Sequence, residues 1–290
     1  MKVKKAVIPA AGLGTRMLPT SKATPKEMIN IVDKPAIQYL VEEVVASGIE
    51  DILIITSRGK STIEDHFDRS PELEQKLVRA RREKELNEMV KISHMANIHF
   101  VRQQEILGLG HAVYHAKSFV GDEPFAVLYG DDVIFGGNVP ACLELCREYE
   151  NYGLGVVGIK TVTPQDLTRY SSVKILPIGN KVFQITDMIE KPPKGQEFSN
   201  YAILGRCVLP PNIFDMLEIT QPGAGGEIQL TDAMKNLAKT DTMIGVDFSG
   251  KRYDTGNKLG VIQANVEIAL KHPEIGGDFR EYLIELAKHL

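Results

Sequence analysis

The sequence predicts an α/β fold whose sheet is parallel in its first half and antiparallel or mixed in its second. Residues 5–11 and 51–56 are apolar runs of strand length, and such runs are typical of parallel strands that are covered on both faces. The amphipathic stretch between them predicts a helix, so the three segments form a βαβ unit. Beyond residue 150, short strand-like stretches alternate with polar turns, which indicates antiparallel or mixed pairing.

The first predicted helix covers residues 35–48. Ile37 and Leu40 fall on the same face, and this spacing predicts that the face packs on the sheet. Pro35 suits the first turn of a helix, and Gly48 suits its end.

The remaining elements follow from the same patterns. Residues 72–95 are helix-forming and carry mixed charges, which is typical of a solvated helix face. Further strands are predicted at residues 98–103, 125–130, 154–162, 172–176, 181–189, 201–209 and 252–254, and further helices from residue 227, at 259–272 and at 279–290. The last helix carries Leu283, Leu286, Ala287 and Leu290. We expect these four side chains to cover the core, with a neighbouring subunit as the alternative.

The composition limits the classes of partner. The net charge is −4, and no long basic run stands out; because duplex nucleic acid is bound by a basic face, we expect no nucleic-acid partner. No apolar run approaches the ~20 residues that span a bilayer, and the first apolar stretch is too short and broken for a signal peptide. The three cysteines form no Cys-x-x-Cys pair, which favours a reducing, cytoplasmic location.

The loop after the first strand is suited to an anion. Residues 12–16 contain two glycines, so that backbone N–H groups can approach a ligand with no side chain in the way. Arg16 and Lys26 add two cations near this loop, a combination that suits a polyphosphate. The alternative is a tight turn with no ligand. Residues 59–61 resemble the end of a P-loop, but the glycine that opens that motif would fall at Ile54 inside a strand, so we reject this interpretation.

Two further strand ends carry charged side chains. Asp131 and Asp132 follow a buried strand, and carboxylates there favour a Mg²⁺ site, with a loop N-cap as the alternative. Glu190 and Lys191 end a later strand just before a proline pair, where the chain is expected to be irregular. In doubly wound sheets, ligands bind at the carboxyl ends of the strands, so the sequence predicts a phosphate loop and a metal site along one edge.

Taken together, these motifs give a resemblance to a known family. The chain resembles the bacterial UTP–glucose-1-phosphate uridylyltransferases, within the nucleotidyltransferase superfamily. The resemblance rests on residues 11–19, 25–28, 33–35, 108–112, 130–132, 190–192, 223–233 and 254–257, in this order. It implies a Rossmann-like, mixed, mostly parallel sheet of the nucleotide-diphospho-sugar transferase type, with C-terminal helices. It also implies one domain over residues 1–290, with a nucleotide-binding half at 1–135, a sugar-binding half at 136–257 and C-terminal helices at 258–290.

The resemblance assigns roles to individual residues. It implies nucleotide binding by Ala11, Gly12, Gly14, Thr15, Glu27, Gln103 and Gly108, with Gln103 reading the base edge. It implies catalytic cations at Arg16, Lys26 and Lys191, sugar binding by Glu190, Ser171 and Ala202, and Mg²⁺ ligands at Asp131 and Asp254. Ser171 departs from the family pattern, because a glycine commonly follows the tyrosine there.

The implied reaction joins UTP and glucose 1-phosphate to give UDP-glucose and pyrophosphate, with Mg²⁺ as cofactor. The alternatives are a sister enzyme that uses dTTP and a non-catalytic paralogue that binds a sugar nucleotide. A homodimer or homotetramer is expected, with contacts from the C-terminal helices.

Overall fold

The computed structural model describes residues 1–289 and places a large mixed sheet at the centre. The strands are β1 (Lys5–Pro9), β2 (Asn30–Ile31), β3 (Lys34–Pro35), β4 (Asp51–Thr56), β5 (Asn97–Arg102), β6 (Phe125–Leu128), β7 (Asp132–Phe135), β8 (Gly155–Thr161), β9 (Ser171–Gly179), β10 (Val182–Glu190), β11 (Tyr201–Leu209), β12 (Met243–Val246) and β13 (Lys251–Asp254). The helices are α1 (Ala36–Ala46), α2 (Ser61–Phe67), α3 (Pro71–Arg79), α4 (Glu83–Ser93), α5 (Leu109–Tyr114), α6 (Lys117–Val120), α7 (Ala141–Tyr152), α8 (Pro164–Leu167), α9 (Ile213–Ile219), α10 (Leu230–Asp241), α11 (Lys258–Ala269) and α12 (Gly276–Ala287).

The central sheet is continuous across the two halves of the chain. Its order over the described residues is β5-β4-β1-β6-β11-β8-β12-β10-β9. The strand pairings give one common direction to all of these strands except β10 and β11. The predicted mixed, mostly parallel sheet is therefore confirmed.

The strand β4 is apolar throughout because it is buried on both faces of the sheet. Ile52 and Ile54 pack in the core on one face of the sheet, and Leu53 and Ile55 pack in the core on the other. Because successive side chains of a strand point to opposite faces, both faces must be covered. The helices α1 and α7 cover the first face, and α5, α9 and α10 cover the second.

The structure differs from the predicted helices in two places. The stretch 72–95 is divided into α3 and α4, and Arg81 between them has a φ of 56°. Such a left-handed conformation ends a helix. In α12, Leu286 and Ala287 are exposed and Leu283 is only half-buried, so the expectation that this helix covers the core with these residues is wrong. Leu290 lies outside the described residues. None of the helices that the structure describes has the length and apolarity that spanning a bilayer requires.

A small ribbon joins distant parts of the chain beside the central sheet. The strand β7 pairs antiparallel with β13, and Asp132 lies opposite Asp254. The backbone N–H of Thr255 donates to the carbonyl of Asp131 at 2.8 Å. This pairing brings the end of β13 next to the acidic pair that follows β6.

Candidate active site

A cavity of about 990 Å³ lies where the strands β1, β5 and β6 end. Its wall includes Ala11 after β1, Gln103 after β5 and Gly130 after β6. Loops from the second half of the chain complete the wall. The cavity therefore occupies the edge of the sheet at which the sequence predicted a ligand.

Most of the predicted site residues line this cavity. They are Ala11, Gly12, Thr15, Arg16, Lys26, Glu27, Gln103, Gly108, Asp131, Ser171, Glu190, Lys191 and Asp254. Gly14 and Ala202 do not line it. The structure thus brings together residues that are more than 200 positions apart in the sequence.

Gly14 and Ala202 are absent from the cavity wall for different reasons. Gly14 has a φ of 66° and packs against the side chain of Lys26, so it shapes the loop. Ala202 is fully buried in β11 and packs in the core on the face covered by α1 and α7. Its neighbour Ile203 lines the cavity instead, because adjacent residues of a strand face opposite ways. The side chain of Ala202 therefore points away from the cavity, so the predicted sugar contact would have to come from its backbone.

The loop after β1 is held from behind by buried side chains. The ammonium group of Lys60 donates to the carbonyl of Ala10 at 2.5 Å and to Oε2 of Glu27 at 2.8 Å. The hydroxyl of Ser57 donates to the carbonyl of Ala11 at 2.8 Å. Lys60 is buried and does not line the cavity. It holds the loop in place from within the protein, a role that the sequence analysis missed.

Cations and carboxylates meet on the floor of the cavity. Lys26 Nζ lies 2.6 Å from Oδ2 of Asp131, and Arg16 lies 3.7 Å from both Asp131 and Asp254. Burial opposes the ionisation of Asp131, but Lys26 and Arg16 outweigh it and lower the pKa of Asp131 to about 2. Burial also opposes the charge of Lys26, but Asp131 and Glu27 raise the pKa of Lys26 above its ordinary value. Asp131 and Lys26 are therefore both charged at neutral pH.

Asp131 and Asp254 converge on Gly256. A Cβ atom at this glycine would lie 2.4 Å from Oδ2 of Asp131 and 3.0 Å from Oδ1 of Asp254, so no side chain fits between the two carboxylates. No group of three or more His, Cys, Asp or Glu side chains within residues 1–289 is arranged to hold a metal ion. Two carboxylates are nevertheless a suitable set for Mg²⁺, which takes its other ligands from water and from substrate phosphates.

A second group of side chains holds Asp254 in place. The hydroxyl of Tyr170 donates to Oδ2 of Asp254 at 3.0 Å, and Arg252 donates to the Tyr170 oxygen at 2.9 Å. Arg252 also donates to Asp132 at 2.6 Å. Burial, with Asp131 and Asp254 nearby, raises the pKa of Asp132 to about 6 although Arg252 opposes this. No sequence motif singles out Tyr170 or Arg252, although each lies within two residues of a predicted site residue.

The opposite wall carries Glu190 and Lys191. Lys191 has a φ of 45°, and this irregular end of β10 allows two adjacent side chains to line the same cavity. Glu190 accepts a hydrogen bond of 2.7 Å from the hydroxyl of Thr231. Burial raises the pKa of Glu190, and the Thr231 hydroxyl and Lys191 oppose the shift. Lys191 Nζ lies 3.8 Å from Glu190 and is half exposed, so it remains available to an anion.

The remaining wall is formed by two loops that bond to each other. The N–H of Gly110 donates to the carbonyl of Ile228, and the N–H of Ile228 donates to the carbonyl of Leu107, each at 2.8 Å. A Cβ atom at Gly108 would lie 2.7 Å from the carbonyl oxygen of Ile228. Because Gly108 has a φ of 109° as well, this position requires glycine.

Known proteins with similar sequences span nearly the whole chain. Residues 5–271 match the family model described as Nucleotidyl transferase. A curated UTP–glucose-1-phosphate uridylyltransferase of Bacillus subtilis (strain 168) is 50% identical over 287 residues, which cover 99% of this chain and 96% of the relative.

Solved structures are similar over a comparable length. A UTP-bound UGPase from Acinetobacter baumannii has a TM-score of 0.91 and 39% identity, covering 98% of this chain and 99% of that one. A UDP-glucose pyrophosphorylase complexed with UDP-glucose has a TM-score of 0.86 and 39% identity, covering 93% of this chain and 100% of that one.

Proposed function

The chain belongs to the nucleotidyl transferase family, and from this premise we propose that it transfers the uridylyl group of UTP to glucose 1-phosphate. The products are UDP-glucose and pyrophosphate. The proposal rests on one observation. Three cations, Arg16, Lys26 and Lys191, line the same cavity as the carboxylates of Asp131 and Asp254. Such a cavity can hold two polyanions side by side.

The two walls of the cavity are proposed to bind different substrates. On the nucleotide side, the loop after β1 offers backbone N–H groups, and Arg16 and Lys26 offer charge to the β- and γ-phosphates. The nucleotide-binding set is Ala11, Gly12, Thr15, Glu27, Gln103 and Gly108. On the sugar side, Glu190 and Ser171 contact glucose hydroxyls, and Lys191 contacts the sugar phosphate.

The reaction needs positioning more than proton transfer. An oxygen of the glucose 1-phosphate group attacks the α-phosphorus of UTP, a new P–O bond forms, and the bond to the β-phosphate oxygen breaks in line with it. Pyrophosphate leaves with the electron pair of that bond. Because the nucleophile is already an anion, no general base is needed, and the protein lowers the barrier by holding the reactants together and by stabilising the developing charge.

Asp131 and Asp254 are proposed to hold a divalent cation, with Mg²⁺ as the ion. Both carboxylates lie beside Gly256, where the Cβ of any side chain would clash with them. When bound, Mg²⁺ supplies positive charge to phosphate oxygens during transfer. Tyr170 and Arg252 keep the Asp254 carboxylate in place for this role.

The chain is proposed to act as a single domain and as a homodimer or homotetramer. One sheet runs through both halves, at residues 1–135 and 136–257. The C-terminal region, 258–290, leaves Leu259, Ile262, Tyr282 and Ile284 at least 59% exposed, and such apolar surface is typical of subunit contacts. Sedimentation velocity will report the subunit number, and a monomer at micromolar concentration would contradict the proposed oligomer.

A pyrophosphate-release assay tests the proposed reaction. The purified protein is incubated with Mg²⁺ and each pairing of UTP, dTTP, CTP or ATP with glucose 1-phosphate or galactose 1-phosphate. We expect UTP with glucose 1-phosphate to give the highest kcat/KM. A preference for dTTP would favour the sister enzyme, since a methyl group is worth only ~1–3 kcal/mol in a pocket. Binding of UDP-glucose without pyrophosphate release at any metal concentration would favour the non-catalytic paralogue.

A further inference from the structure

The amide of Gln103 has a fixed orientation. One end of this amide lies 3.2 Å from the carbonyl oxygen of Gly108. Because a carbonyl oxygen can only accept a hydrogen bond, the end that faces it must be the NH₂ group. The same NH₂ group lies 2.8 Å from Nδ1 of His111. The ring nitrogen must therefore accept this hydrogen bond, which requires a neutral His111 with its proton on Nε2.

The other end of the amide is free to meet a ligand. In the part of the chain that the structure describes, no donor forms a hydrogen bond with Oε1 of Gln103. This oxygen is not fully enclosed by the protein, so a ligand can reach it. Gln103 lines the cavity, whereas His111 does not. A hydrogen-bond acceptor thus faces the cavity, and His111, which contacts the other end of the amide, lies behind the cavity wall.

We propose that neutral His111 is a positioning residue that fixes Gln103 as an acceptor and thereby selects a base whose ring carries an N–H donor. The inference rests on the proposed uridylyl transfer and deepens it. Uracil has a donor at N3, whereas cytosine has an acceptor there. An oxygen held toward N3 therefore attracts uracil and repels cytosine, and a buried acceptor without a donor is costly.

The surroundings of His111 favour its neutral form. Burial and the ring of His115, whose centroid lies 4.7 Å away, lower the pKa of His111, and the carboxylate and backbone carbonyl of Glu105 oppose the shift without reversing it. At neutral pH the ring is therefore an acceptor. Below its pKa, the ring becomes a donor that cannot accept from the Gln103 amide. The amide then loses its contact with the ring and keeps only the longer hydrogen bond of 3.2 Å to the Gly108 carbonyl, so its oxygen is held less firmly toward the base.

Equilibrium binding of UTP and of CTP, measured by calorimetry at pH 7.5, tests this inference. His111→Leu removes the acceptor, so we expect the ratio of the CTP and UTP dissociation constants to fall about tenfold. His111→Asn supplies an amide oxygen near the position of Nδ1 and should restore most of the ratio. His115→Gln is the matched control, because it leaves the contact between Gln103 and His111 intact, and it should keep the wild-type ratio. The ratio is independent of the fraction of folded protein.

The pH dependence provides a second readout. As the pH is lowered from 7.5 through the depressed pKa of His111, the ratio should fall more steeply in the wild type than in His111→Asn, which has no ring to titrate at this position. An unchanged ratio in His111→Leu, or the same pH slope in His111→Asn as in the wild type, would overturn the inference while leaving the proposed reaction in place. Failure of the wild type to bind UTP would overturn both.

Discussion

The two walls of the cavity, the proposed nucleotide side and the proposed sugar side, are built differently. On the nucleotide side, the loop after β1 is held by Lys60, whose side chain is 8% exposed and bonds to both Glu27 and a loop carbonyl. On the sugar side, Lys191 is 47% exposed, and its nearest carboxylate is 3.8 Å away. On the nucleotide side, the buried ion pair of Lys60 and Glu27 thus fixes the loop before any ligand binds. The sugar side instead presents an exposed cation at the irregular end of a strand.

This difference predicts separable effects of substitution. A change on the nucleotide side removes a buried partner, so it alters the free energy of unfolding as well as catalysis. Removal of Lys191 on the sugar side takes away an exposed charge whose nearest carboxylate is 3.8 Å away, so it should alter catalysis with little effect on stability. Each of the following variants tests one side of that contrast.

Asp131→Asn is expected to have the largest effect on turnover. The substitution removes one of the two carboxylates proposed to hold the metal and removes the partner of Lys26. We expect kcat to fall about 10³-fold in a pyrophosphate-release assay, with circular dichroism unchanged. Asp122→Asn, at an exposed acidic position, is the control and should keep the wild-type rate. A rate within threefold of the wild type in Asp131→Asn would remove this residue from the proposed metal site.

Lys60→Met is expected to have the largest effect on stability. It leaves the buried carboxylate of Glu27 without its cation, and breaking a buried pair in this way costs about 3–5 kcal/mol. Urea denaturation measures the loss. The double variant Glu27→Gln with Lys60→Met removes both charges and should be more stable than Lys60→Met alone. Equal stability of the single and double variants would show that the pair does not hold the loop.

Lys191→Ala is expected to lower activity without a stability cost. The loss of the cation proposed for the sugar phosphate should reduce kcat/KM for glucose 1-phosphate about 10²-fold. The urea midpoint should stay at the wild-type value because the side chain is half exposed. Lys194→Ala removes an exposed lysine from the same loop and is the matched control. A large stability loss in Lys191→Ala would break the contrast between the two walls.

Thr231→Val is expected to have the smallest effect. It deprives Glu190 of the hydroxyl that bonds to it at 2.7 Å, so the carboxylate is less well oriented for glucose hydroxyls. We expect KM for glucose 1-phosphate to rise about fivefold, with kcat changed by less than twofold. Thr231→Ser keeps the hydroxyl and should restore the wild-type KM. If Thr231→Ser is as impaired as Thr231→Val, shape rather than the hydrogen bond accounts for the effect.

The fold and much of the site were predictable because their signals are local. The apolar run of β4 indicated a strand covered on both faces, and the motifs gave the family, which the comparisons confirm. The strand ends indicated where ligands bind, and the structure places a cavity there. The roles of the residues within it stay predictions until the variants are measured.

The parts that sequence reasoning missed depend on contacts between distant positions. Lys60 and Glu27 are 33 residues apart, and Tyr170 and Asp254 are 84 apart, so no local spacing reveals either pair. Ala202 was assigned to the sugar site, but its strand turns Ile203 toward the cavity. The division of residues 72–95 depends on a left-handed Arg81, a conformation for which arginine has no preference.

A crystal structure of the protein with UDP-glucose and Mg²⁺ would show whether one cavity holds both substrates. We expect the uracil ring at Oε1 of Gln103 and the glucose beside Glu190. We also expect Lys191 and the Asp131–Asp254 pair on opposite sides of the diphosphate. A diphosphate bound away from both Asp131 and Asp254, with Lys191 turned to solvent, would rule out the proposed site.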